Sequence, residues 1–594
     1  MKEQQTIREA GSKLLERFFF PLILILFPLV KASYGIDLTD TGYSLGNYRF
    51  FGTEGGVWTL LTFLSGGMGN FLMKLPMGNT MLGMKIYTGL LVSLTALTGY
   101  RFFRTKMPAW LAFAGEVAAI GLCWCPTVIL YNYLTYFLLL MGCVFLFRGL
   151  AGCRNGCLVV AGICLGLNTF SRFPGNVLEA ALILALWYYG ALKGKKTQKI
   201  LIETGLCAAG YAAAFAVAAV TASVWHGGNA LSEMIQGVLG MAGSASDYTF
   251  GEMLYAILDA YGHGLRWMLY MLLCILPGIP FLVLFPGKLE KARKIVYCLC
   301  IPLLFLALEK WGMFHFRYYQ KEAALQWGAV FLLLGIGALL WLLFTRQMDD
   351  EWRLIGAIAL IVILLTPLGS NNYIWPALNN LFFAAPVVFW ILYRFIRWGR
   401  KCLDATGKVP LFPAKAMFAG MLLMFFVQAA GVGFGYIFLD GETGEDRSYK
   451  VEGNSVLAGM HTTAQNGENL EEISAFMTEN KDRYEEKKLL LYGNIPGLCY
   501  YLDKPSAVYT SWADLDTNPL GRLEEELKTL TGSPLVIITP QLAAYFSGDR
   551  KAMEYWGTDV EDCKGDQKLS AILQYMREQD YRQVFANEAF IIYE

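Results

Sequence analysis

From Arg17 to about Leu439, long apolar runs alternate with short charged patches, and this alternation constrains the fold more than any other feature of the chain. A helix that crosses a bilayer needs about 20 mostly apolar residues, because its backbone must satisfy its own hydrogen bonds in hydrocarbon. Candidate spans centre near residues 25, 90, 116, 138, 163, 184, 212, 276, 302, 335, 361, 388 and 425. The pattern predicts a polytopic α-helical membrane protein with about 13 transmembrane helices. The first run, Phe18 to Val30, is short and contains two prolines, and no small-residue cleavage site follows it. It reads as a retained helix extended through Lys31 to Tyr34, not as a signal peptide. The stretch VWTLLTFLSGGMGNFLMKLP, residues 57–76, is amphipathic and broken by glycine, which predicts a segment lying along the interface.

The pattern changes at Gly441. Beyond it charges are dense and apolar runs shrink to strand length. Two domains are expected: a transmembrane domain over 1–438, and a small extracytoplasmic α/β domain over 439–594. In the second, a charged helix (468–480) precedes the strand KLLLYG and a short strand in PSAVYT. GRLEEELKTL reads as a helix, SPLVIITP as a buried parallel-type strand, KLSAILQYMRE as a helix and YRQVFANEAFIIYE as closing strands. Asp514 and Asp516 read as a solvated loop, and a disulfide between Cys499 and Cys563 is open.

Basic residues orient the spans. With the N-terminus in the cytoplasm, the inside loops hold Arg101, Arg104 and Lys106, then Lys193, Lys195 and Lys196, then Arg346 and Arg353, among others. The outside loops are poorer in Lys and Arg, and include the long polar segments 226–264 and 369–380. An odd number of spans puts the tail outside. The chain is 55% hydrophobic and only 16% charged, against about a quarter charged in soluble domains. A net charge of +1 without a basic run argues against nucleic acid as a partner.

The outside loops contain the residues that could do chemistry. GIDLTDTGYSLGNYRFF, residues 35–51, places Asp37 and Asp40 just after the first span. The plain expectation is that they cap or solvate the loop, with Asp40-Thr41-Gly42 as a turn. Tyr34, Tyr43 and Tyr48 could hold the loop at headgroup level. Arg172, Lys310, Arg317 and Lys321 lie in other outside loops. Snorkelling accounts well for Lys321 and less well for Arg317, which lies among aromatics. Arginine suits phosphate because its planar fork gives two parallel hydrogen bonds. The four histidines are scattered singly, which predicts no metal site, and GGMG and CLGLN are too loose to be phosphate loops.

Asp40-Thr41-Gly42-Tyr43, following the first helix, resembles the acidic motif in the first outer loop of GT-C glycosyltransferases of the protein mannosyltransferase and aminoarabinose transferase type (family 39-like). Many relatives read Asp-Glu-Gly-Tyr there; this chain has Thr41 in place of the Glu. The resemblance extends to the number of spans, the interfacial segment and the outward tail. It implies an enzyme of the bacterial cytoplasmic membrane and cell envelope. Such an enzyme moves a sugar from a polyprenyl-phosphate donor to a glycan, lipid or protein acceptor. Asp40 would match the catalytic aspartate and act as general base, with Asp37 orienting the acceptor or joining Asp40 on a divalent ion. Arg317, with Lys310 or Arg172, would meet the phosphate; Tyr43, Asn371 and Asn372 would complete the substrate site. Some enzymes of the class need no metal, and no cofactor is expected. Two other classes fit a polytopic chain: a transporter or flippase of lipid-linked glycans, and a non-enzymatic assembly protein of the cell envelope. Against transport, no internal repeat is evident, and mid-span acids are few: Glu116, Glu179 and Glu203.

Overall fold

The computed structural model describes residues 13–53, 56–243, 250–283, 289–313, 315, 321–370, 372–404, 411–442 and 444–594. Every predicted span centre falls inside a helix. Among the described residues, seven helices are long and apolar enough to cross a membrane, from Met81–Phe103 to Phe412–Gly435. Shorter apolar helices such as Ala109–Leu122 and Asn155–Asn168 fill the bundle between them. The chain is a multi-pass helical membrane protein with a small sheet near its C-terminus.

Without a hydrophobic force between helices in lipid, close packing depends on small residues and shape. Asn155–Asn168 and Thr197–His226 meet backbone to backbone at Gly162, Gly166 and Gly210. A Cβ at Gly162 would lie 2.0 Å from the Cys207 carbonyl oxygen, and one at Gly210 2.2 Å from that of Val159. The CLGLN fragment is therefore a helix-packing seam. Elsewhere the bundle is filled by aromatics: Phe331 stacks on Phe425 with ring centroids 3.8 Å apart, a contact worth about 1 kcal/mol beyond area burial.

The first helix departs from expectation. It is helical from Lys13 to Leu29 and turns from Val30, so the run is extended on its N-terminal side instead of through Tyr34. Pro21 and Pro28 cannot donate to the i→i−4 ladder. The pitch changes near each of them, from a π turn at Leu15–Phe19 to α at Phe20–Leu26 and 3₁₀ at Phe27–Leu29. Residues 57–76 form two helices, Val57–Leu61 and Phe63–Met73; 11 residues span about 16 Å, too short to cross. The described residues of 226–264 are mostly helical, not a loop: Ala230–Gly243 and Phe250–Leu273 are helices. Asp259, His263 and Arg266 recur at helical spacing there, a period hidden by the polar composition.

Ion pairs gather the loops that share a predicted side. Lys106 Nζ lies 2.6 Å from Glu351 and Lys193 Nζ 2.7 Å from Asp350. Loops assigned to the other side, around Asp40, Arg172, Lys321 and Asn372, meet in one cavity.

The C-terminal part contains a ribbon, β1 (Tyr449–Lys450) and β2 (His461–Thr462), and a four-stranded sheet. The sheet consists of β3 (Leu489–Tyr492), β4 (Leu535–Ile538), β5 (Gln583–Ala586) and β6 (Ile591–Tyr593), in the order β3-β4-β6-β5. β4 runs parallel to β3 and antiparallel to β6. Side chains alternate between faces along a strand, and both faces are buried. Leu489, Leu491, Leu535 and Ile537 enter one cluster; Leu490, Tyr492, Val536 and Ile538 enter another. This double burial explains why SPLVIITP reads as a continuous apolar run. The first cluster also takes Ile36, Leu45 and Met84, so the segment after the first span helps cover the sheet.

Two finer expectations for this part fail, and one open question closes. PSAVYT supplies a single bridge, Ser506 to Leu489, not a strand. Asp514 is not simply solvated: its carboxylate accepts from the Gly493 and Asn494 main-chain nitrogens at 3.0 and 2.6 Å, fixing the turn after β3. Cys499 and Cys563 lie in different hydrophobic clusters and form no disulfide.

Candidate active site

Asp40 does not form a turn; it opens the helix Asp40–Arg49. Thr39 is its N-cap and its side chain bonds no helix nitrogen; the start is capped from two residues back by the side chain of Asp37, 2% exposed. Its Oδ1 accepts from Thr39 N and Thr39 Oγ1 at 2.8 and 2.6 Å, and its Oδ2 accepts from Thr41 N at 2.7 Å. An acidic side chain here satisfies main-chain donors that a helix start leaves without partners. Burial nevertheless pushes the Asp37 carboxyl above the usual range, opposed by these hydrogen bonds.

The loop carrying both acids is held from two sides. From the bundle, buried Lys85 donates to the carbonyl oxygens of Tyr34 and Gly35 at 2.7 and 2.6 Å. From the C-terminal part, Gly497 N donates to Leu38 O at 2.7 Å, His461 N to Ser33 O at 2.7 Å, and the Tyr501 hydroxyl to Asp37 O. Gly35 N donates back to His461 O at 2.9 Å. Arg49 closes the far end of the helix with a bidentate pair to Asp503 at 2.8 and 2.9 Å.

With its neighbours fixed, half-buried Asp40 lines a cavity of about 260 Å³. Arg172, Lys321 and Asn372 line the same space, with the amide and carboxyl side chains of Asn176, Asn379 and Glu179. Leu139, Leu178, Leu182, Ile361 and Leu365 form apolar wall, and Trp124 and Trp375 contribute rings. Burial, joined by the nearby Asp37 charge and opposed by Lys321, raises the Asp40 carboxyl to about 7. An acid held near neutrality is suited to accept a proton at working pH.

The structure thus brings Asp40, Arg172 and Asn372 together and assigns other places to Asp37, Tyr43 and Lys310. Tyr43 is buried against the C-terminal part, its hydroxyl 3.2 Å from Thr510 Oγ1 and its ring edge-on to Trp512. Lys310 is exposed at the end of Glu290–Lys310 and is not in the cavity wall. Arg317 and Asn371 lie outside the described residues. In sequence Lys321 reads as a snorkelling lysine, and Lys85 lies unremarked inside an apolar run. A lysine inside an apolar run is the one signal that could have marked Lys85. Among the described residues no group of three or more His, Cys, Asp or Glu could hold a metal ion.

No family model matches the chain, and no curated protein matches it. Solved structures do. The apo oligosaccharyltransferase of Archaeoglobus fulgidus is 12% identical with a TM-score of 0.45, over 90% of this chain and 72% of that one. The same enzyme in complex with Zn and sulfate gives 12%, 0.43, 90% and 71%. ArnT from Cupriavidus metallidurans bound to undecaprenyl phosphate is 11% identical with a TM-score of 0.37, over 97% of both chains.

Proposed function

We propose that the chain is a GT-C-type glycosyltransferase, moving a sugar from a polyprenyl-phosphate donor to an acceptor at the outer face of the cytoplasmic membrane. The observation that supports this reading is the joint lining of one cavity by Asp40, Arg172, Lys321 and an apolar wall. Such a lining suits an amphipathic ligand: leucines for the first isoprene units, cations for the phosphate and an acid for the acceptor hydroxyl.

The acceptor oxygen attacks the anomeric carbon while Asp40 takes its proton. The bond between that carbon and the phosphate oxygen breaks, and polyprenyl phosphate leaves with the bonding electrons. Arg172 and Lys321 stabilise the charge that grows on the leaving phosphate, an effect strongest where water is excluded. The reaction is proposed to run without a metal: Thr39 and Thr41 take three of the about four acceptor sites of the Asp37 carboxylate and tie it to the helix start. The gathering of basic loops at the opposite end supports an N-terminus in the cytoplasm.

The test is release of polyprenyl phosphate from a labelled polyprenyl-phosphate sugar by the purified protein with an acceptor extract. Appearance of the free lipid phosphate together with a glycosylated product supports the reading. Movement of intact donor across a vesicle membrane without product would replace it with transport.

A further inference from the structure

Glu179 is the second carboxyl in the cavity, and the proposed transfer does not use it. It lies in Gly175–Leu192, is 8% exposed and lines the same space as Asp40. Both of its oxygens accept from one donor group, the Asn168 amide nitrogen, at 3.0 and 2.9 Å. A carboxylate has about four acceptor sites, and burying a polar group without partners is costly, so one amide leaves Glu179 with accepting capacity toward the cavity. Asn379 adds to it. This residue is 7% exposed and lines the cavity, and its amide oxygen accepts no hydrogen bond among the described residues. The adjacent Asn176 is held in place by donating to Thr135 Oγ1 and Asn168 O at 2.7 and 2.8 Å.

Glu179 and the Asn379 amide oxygen thus offer acceptors to the cavity, whereas Arg172 and Lys321 bring donors only. A phosphate would satisfy the cations and leave Glu179 and Asn379 unsatisfied. The complementary group must bring O–H donors on a ring small enough to share the cavity, with the Tyr136 and Trp375 rings as apolar walls. We infer that Glu179 and Asn379 bind the non-reacting hydroxyl groups of the transferred sugar and so set which sugar the site accepts. This inference rests on the transferase reading above.

The experiment measures binding of undecaprenyl phosphate, and of its mannosyl and glucosyl esters, to detergent-solubilised wild type, Glu179→Gln and Asn379→Leu. The expected result is that wild type holds at least one sugar ester more tightly than the bare lipid phosphate. Each variant should lose about tenfold on that ester, the order of one hydrogen bond to a charged or buried group, and stay within about twofold on the bare phosphate. Two variants at separate sites guard against one failing to fold. Unchanged ester affinity, or equal loss for ester and bare phosphate, overturns the inference while leaving the transferase reading intact. Failure of wild type to bind any of the three lipids overturns both.

Discussion

The Tyr501 hydroxyl donates to the main-chain carbonyl of Asp37, joining residues 464 positions apart in sequence. Beside it, Gly42 and Gly497 touch so closely that a Cβ on Gly42 would lie 2.5 Å from the Gly497 Cα. The C-terminal part therefore reaches the cavity by gripping the loop that carries Asp40, while the cavity wall itself runs from Asp40 to Leu439.

Substituting Gly42 by valine should separate the two surfaces, since the atoms that would have to give are backbone. Tyr501→Phe, which removes one hydrogen bond, should cost about 1 kcal/mol. Thermal unfolding and limited proteolysis of the C-terminal part would read both. Gly42→Val should lower the melting temperature clearly and cut transfer at least tenfold; Tyr501→Phe should do less of each.

The pH profile follows from Asp40. A general base works in its ionised form, so kcat/KM should rise with pH through about 7, where burial holds the Asp40 carboxyl. Lys321 lowers that value, so Lys321→Met should move the rising limb to higher pH. A limb that stays in place or moves down would remove Lys321 from the field around Asp40.

Asp37 and Asp40 should separate in kinetics and stability. Asp37→Ala removes a cap and leaves the Thr39 and Thr41 nitrogens unsatisfied, which should cost about 1–2 kcal/mol of stability. Asp37→Asn, which keeps an accepting oxygen, should retain more transfer than any neutral variant of Asp40. Denaturation midpoints and initial rates measured on the same preparations would check both.

Chelation offers a further check. Because the Asp37 oxygens are already engaged, excess EDTA should leave the transfer rate within about twofold. A loss restored by added Mg²⁺ or Mn²⁺ would instead place a divalent ion beside Asp40.

Span positions and the strands of the four-stranded sheet were readable because each follows from a local pattern: apolar runs for helices in lipid, and the unbroken SPLVIITP for a strand covered on both faces. The two-residue strands β1 and β2 are too short to leave such a pattern. The importance of the loop after the first helix was also visible, from its two acids and their place in the chain. The division of labour between those acids was not. Asp37 becomes a cap only because the chain enters a helix at Asp40, and the Asp-Thr-Gly sequence reads equally well as a turn. Lys321 was hidden for another reason. A lysine at the end of an apolar helix looks the same whether it faces lipid or a cavity, and only packing against distant loops decides. Tyr43 shows the converse, a residue suited by composition to substrate that long-range contacts commit to Thr510 and Trp512.

The central claim is that Asp40 removes the acceptor proton. Asp40→Asn keeps the size of the side chain and abolishes the base, so the decisive measurement is single-turnover transfer from a polyprenyl-phosphate sugar by this variant and wild type, with undecaprenyl phosphate binding measured alongside. The expected result is a loss of about 10²–10⁴-fold in rate with lipid phosphate binding within about twofold of wild type. Transfer at the wild-type rate by Asp40→Asn would contradict it.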